Sequence, residues 1–135
     1  MPTFFKIYKE RRLVMSAVSG VITIADALAH RQNLRKHPDF DPSFSQLVDL
    51  SNVTKIEFSR KDMETFAQET IFSLNSRRAA LATCDIAYGL ARMFEMLRES
   101  KGEEGLRVFR NLDEALNWVL PKNAPPVDPL RDERS

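Results

Sequence analysis

One thiol, two imidazoles and a few well-spaced hydroxyls and carboxylates are the groups in this chain with types suited to chemistry. Cys84, the single cysteine, falls between a short apolar run and a helical pattern, where a helix amino terminus lowers a thiol pKa and favours the nucleophilic thiolate. Thiol phosphatase chemistry needs a phosphate cradle and an arginine six residues on, and that position is Leu90. A nucleophile also needs a nearby base, and His30 and His37 both belong to an earlier helix. The reading is an inert, partly buried thiol. The two histidines are too few to hold a metal without carboxylates and are expected in solvent on a polar helical face. Gly20, Gly89, Gly102 and Gly105 form no phosphate-binding loop. No catalytic residue, metal site or cofactor site is predicted.

Two more candidates share the stretch "LVDLSNVTKIEFS" at 47–59. Asp49 is expected to end a buried strand, and strand carboxyl ends are where open α/β sheets place their ligand sites. Its alternative role is to accept backbone N–H bonds from a Ser51-Asn52 turn. Ser59 and Asp62 have the spacing of an N-cap and its reciprocal acid, a cap typically worth about 1 kcal/mol over alanine. Further along, Tyr88, Gly89, Arg92 and Met96 fall on or near a second face of a helix. Such a helix either packs deeply or presents a contact surface. Gly89 costs about 1 kcal/mol relative to alanine mid-helix, which suggests close approach by another element. Arg92 has Glu95, Glu99 or Glu103 as candidate surface partners. Asp49, Cys84, Tyr88, Arg92 and Met96 are the candidate partner or ligand surface.

These residues are positioned by a legible order of elements. Apolar runs at 4–8 and 13–18 flank a charged link and read as a hairpin. Thr23 and Asp26 open a helix with Ile24, Ala27, Leu28 and Leu34 on one face, stopped by Pro38. "QLVDL" has the unbroken apolar character of a central strand. Met63, Phe66, Ala67, Ile71 and Leu74 then give a helical period after Ser59. "RAALAT" is another strand, and 85–99 a helix with Ile86, Leu90, Met93, Phe94 and Leu97 facing the core. "LRVF" is the last strand, and Asn111 caps a helix striped by Leu112, Ala115, Leu116 and Val119. Strands separated by helices imply parallel crossovers. The predicted class is α/β: a single mixed, mostly parallel sheet of about five strands with an antiparallel amino-terminal edge hairpin and about four flanking helices. Residues 1–120 form the domain, and Pro-rich 121–135 a loose tail.

Bulk properties agree. The 135 residues are 43% hydrophobic and 29% charged, which argues for a globular protein. Twenty Lys and Arg against nineteen Asp and Glu give a net charge of +1, with no general field for nucleic acid or anionic membrane. No apolar run approaches the roughly 20 residues that span a bilayer. The amino terminus lacks a signal-peptide pattern, and the lone cysteine fits a reducing cytoplasm.

The stretches "VSGVIT" at 18–23, "FDPSFSQLVDLSNV" at 40–53, "YGLARMFEMLRE" at 88–99 and "VFRNLDEALNWV" at 108–119 together resemble the SpoIIAA-like branch of the STAS domains, often grouped with the CRAL-TRIO lipid-exchange fold. The resemblance implies a small bacterial cytoplasmic domain without an enzymatic role, acting as a protein-interaction or regulatory module on an unknown protein partner or on itself as a homodimer. Its CRAL-TRIO side implies the alternative, a small apolar ligand or lipid. Phosphoregulated STAS domains carry Asp-Ser-Ser/Thr-Gly at a helix start, where backbone N–H groups and the helix dipole favour a phosphate. The matching segment here is Glu57-Phe58-Ser59-Arg60: Ser59 remains as a candidate regulatory serine, while Phe58 and Arg60 depart from the motif.

Overall fold

The computed structural model describes residues 2–120, and the Pro-rich segment 121–135 lies outside the described residues. Its five strands are β1 (Thr3–Tyr8), β2 (Leu13–Thr23), β3 (Ser45–Glu57), β4 (Arg78–Leu81) and β5 (Leu106–Phe109). They form one sheet in the order β1-β2-β3-β4-β5. β1 pairs antiparallel with β2, and the remaining pairs are parallel, the mixed sheet that the sequence predicts. The helices are α1 (Ile24–Lys36), α2 (Arg60–Phe66), α3 (Asp85–Glu99) and α4 (Leu112–Val119).

Each parallel strand is added on the same side of the one before it. Right-handed crossovers then place α1, α2 and α3 on a single face of the sheet. Side chains alternate along every strand, so each strand serves both faces. Leu13, Met15, Leu47, Ala79 and Leu81 point to one face, where Ala115 and Val119 of α4 close on them. Val14 points to the other face with Leu34 of α1, and Ala80 and Ala82 lie under Ala87 and Ala91 of α3. α4 is held by Trp118, whose Nε1 donates to the Gly105 carbonyl at 2.8 Å while Arg77 and Arg107 stack on its ring.

The caps follow the sequence. Thr23 Oγ1 accepts from the Asp26 amide at 3.1 Å, and Asp26 accepts from the Thr23 amide at 3.0 Å. Asn111 caps α4 by accepting from the Glu114 amide at 3.1 Å.

Four expectations are corrected. β3 does not end at Asp49 and has no turn at Ser51-Asn52; it continues to Glu57, past its last β4 partner. Between the pairs Ala17–Asp49 and Ser19–Asn52, and again between Gly20–Val53 and Val21–Lys55, β3 carries one extra residue. These bulges bend the ribbon without breaking it, and Gly20 takes φ +70° between them. α2 stops at Phe66, so Ile71 and Leu74 are not helical. Its last carbonyls are taken by arginines from other elements, Arg31 on Phe66 and Arg98 on Ala67. α3 is rotated from its most apolar face: Ala87, Ala91 and Arg98 are buried, while Ile86 and Met93 are exposed. On α1, Leu34 is buried but Leu28 is exposed.

Candidate functional site

Between the three-helix face of the sheet and its covering helices lies a partly enclosed cavity of about 160 Å³. Val18, Ile22, Val48, Leu50 and Val53 supply its sheet wall, and Met63, Phe66, Leu90 and Phe94 line it from α2 and α3. The wall is apolar because these strand positions face inward towards helices. One end is polar, where Gln46 and Arg78, register partners at the starts of β3 and β4, meet His30 and Arg31 of α1.

A continuous hydrogen-bonded chain runs beneath that end. Arg78 Nε donates to Gln46 Oε1 at 3.2 Å. Arginine has no acceptor, so this contact orients the Gln46 amide with Nε2 towards Ser16, to whose Oγ it donates at 3.1 Å. The Ser16 hydroxyl is also hydrogen-bonded to His30 Nε2 at 3.0 Å. Burial pushes the His30 pKa down, which favours the neutral imidazole.

On its other side Arg78 Nη1 donates to both oxygens of Glu103, at 2.9 and 3.2 Å, and more weakly to Thr70 Oγ1 at 3.4 Å. Glu103 is fully buried and also accepts from Arg98 Nε at 2.8 Å. Arg98 Nη1 donates to the Ala67 carbonyl at 2.8 Å. Arg31 stacks on Phe66 at 4.1 Å and donates to the Phe66 and Glu69 carbonyls. The Arg78 guanidinium lies 4.7 Å from the Phe72 ring. Burial lowers the Arg78 pKa, Glu103 opposes that shift and Arg98 adds to it. Burial also lowers Arg31, where Glu69 opposes and Arg78 and Arg98 reinforce. Both groups stay charged at neutral pH.

Gly105 sets the loop that carries Glu103. A Cβ there would lie 1.9 Å from the Ser76 carbonyl oxygen, and the Arg78 amide donates to the Gly105 carbonyl at 2.8 Å. Only glycine allows this approach.

The residues singled out from sequence are not brought together. Ser59 caps α2 with Asp62 in a reciprocal box, at 2.9 and 3.0 Å. Asp49 points to the α4 face and accepts from the Ser51 amide at 2.9 Å, stabilising a bulge. Cys84 is the N-cap of α3 and packs beside Tyr88 on the alanine cluster. Arg110 stacks on Tyr88 at 4.8 Å. Arg92 pairs with Glu95 on the surface, and Met96 is 58% exposed. Gly89 has no atom within 4 Å of a built Cβ, so no element of the described chain approaches it. The expectation of solvated histidines is corrected: His30 joins the cavity wall, and Phe5 sits edge-on to both His30 and His37.

Ser16, Gln46, Arg78, Arg98 and Glu103 were not legible as a set. The available signal was polar side chains heading two adjacent buried strands, Gln46 in "QLVDL" and Arg78 in "RAAL". The Ser16–His30 contact has the geometry of a nucleophile and base, but the Ser16 hydroxyl is buried and absent from the cavity lining. What this arrangement offers chemically is an apolar container with fixed cations at one end.

No protein-family model matches the chain, and no curated protein matches it. Among solved structures it is similar to an uncharacterised protein of the DUF3478 family with a SpoIIAA-like fold from Shewanella loihica. The TM-score is 0.55 at 15% sequence identity, over 87% of this chain and 93% of that one. That likeness shows the fold, a SpoIIAA-like α/β sheet with its flanking helices.

Proposed function

We propose that this chain is a non-enzymatic binding module that holds a small apolar ligand under α1, α2 and α3. The carrying observation is the cavity. A chain of this length needs most of its large apolar residues for its own core. Here Val48, Leu50, Val53 and Phe94 also line a partly enclosed apolar cavity, and an apolar occupant would remove that surface from water. The test uses 1-octanol as a neutral apolar probe. It should raise Tm and compete out a cavity-binding dye, and Ala80→Leu, which projects into the cavity, should abolish both effects. An unchanged Tm with no dye displacement sinks the reading.

A protein-interaction role is supported by a separate observation. Ile86, Met93 and Met96 are exposed along α3 around the open Gly89, more apolar surface than a solvated helix needs. Crosslinking that recovers a second copy or another protein through this face, and loses it in Met96→Glu, supports that role. A bacterial cytoplasm remains the proposed setting. Among the described residues no helix is long and apolar enough to cross a membrane.

A further inference from the structure

Resting on the cavity reading, we propose that the ligand is a monocarboxylate: its apolar body lies along the sheet wall and its carboxylate sits on Arg78 Nη2. The other donors of this guanidinium are committed, Nε to Gln46 and Nη1 to Glu103 and Thr70. Nη2 makes no hydrogen bond among the described residues. Yet no buried side-chain nitrogen or oxygen among them is left without a partner. Nη2 therefore keeps accessible surface, and Arg78, with 12% of its side chain exposed, lines the cavity. A directed donor faces the space where a ligand head would go.

Charge selects the head group. Arg31, Arg78 and Arg98 stand against Glu103, buried between two of them, and Glu69, exposed beside Arg31. Three guanidiniums thus meet two carboxylates, and one positive charge is left over in this group. A buried charge without a counter-charge is costly, and an occupant bearing one negative charge removes that cost. A cationic head would face the opposite situation. A phosphate monoester carries about −1.5 to −2 charges and would overshoot. The planar guanidinium also matches a carboxylate in geometry. Size limits the body, since an apolar cavity of about 150 Å³ accommodates benzene. Because the cavity is only partly enclosed, the class runs from aryl acids to medium-chain acids such as octanoate.

Octanoate, 1-octanol, octylamine and octyl phosphate, titrated against the full chain at neutral pH, test this. Octanoate should bind at least about tenfold tighter than 1-octanol, the scale of one added hydrogen bond to a charged group. Octylamine should be weakest, and octyl phosphate weaker than octanoate. Arg78→Met should remove the preference for octanoate over 1-octanol, the ratio of the two affinities being the readout. Glu103→Gln, which removes the competing carboxylate, should tighten octanoate relative to 1-octanol. Equal binding of octanoate and 1-octanol overturns the carboxylate assignment and leaves the cavity reading standing; tighter octyl phosphate also overturns it. If no probe binds, the cavity reading falls and this inference with it. Should Arg78→Met fail to fold, the ranking of the four probes on the natural chain decides alone.

Discussion

Ala79 and Ala80 are neighbours on one strand and belong to two differently finished faces. Ala79 meets Leu13, Leu47 and α4 in a closed layer. Ala80 borders the cavity, with arginines, a glutamate and an imidazole at its polar end. The centre of the α4 face is a closed apolar layer of Leu13, Leu47, Leu81, Ala115 and Val119, the arrangement that stabilises a sheet most simply. The three-helix face keeps open volume and buried charge, both of which lower stability. Strand alternation lets one short sheet serve both faces: odd positions of β4 pack against α4, and even positions line the cavity.

The largest test of that contrast is Glu103→Ala. It leaves two buried guanidiniums without their shared carboxylate and should cost about 3–5 kcal/mol in urea unfolding. A loss under 1 kcal/mol would mean that the charged end is not essential to the three-helix face. Next come the paired variants Ala79→Val and Ala80→Val. The first overpacks a closed layer and should cost about 1–3 kcal/mol, whereas the second enters open space and should be neutral or stabilising. Equal losses would erase the distinction between the faces. Ser59→Ala removes the cap of α2, one of the cavity covers, and should cost about 1 kcal/mol.

The smallest effect is in pH. Burial lowers the His30 pKa in the folded state, so on acidification the unfolded chain takes up its proton first. This contribution is present in full above the ordinary histidine value of about 6.5 and is lost as pH falls through the lower folded pKa. His30→Gln should flatten the stability profile on the acidic side of the ordinary histidine value. An unchanged slope would place the pH sensitivity elsewhere.

The α4 face was the more legible one. "LRVF" coincides with β5, and the Asn111-capped stripe matches α4 to within one residue at its end, because periodicity and capping are local signals. The Thr23 box and the Ser59 cap were legible for the same reason. The three-helix face was not. The rotation of α3 depends on alanines of β4 that hydropathy ranks below Ile86 and Met93. α2 ends where arginines from α1 and α3 take its carbonyls, and no window around Phe66 contains them. The hydrogen-bonded chain beneath the cavity's polar end joins Ser16, His30, Gln46, Arg78, Arg98 and Glu103, with partners up to 32 residues apart in a single hydrogen bond. Such convergence is created by the fold and has no local signature.

β3 runs on from Asp49 to Glu57 without a β4 partner, so one side of that segment offers strand-pairing groups to any other chain. This seam is a template for intermolecular zipping, and its defence is charge: Lys55 and Glu57, exposed and paired at 3.3 Å, resist an incoming apolar strand. Replacing Lys55 with valine would weaken that defence against strand addition, at a residue outside the cavity lining.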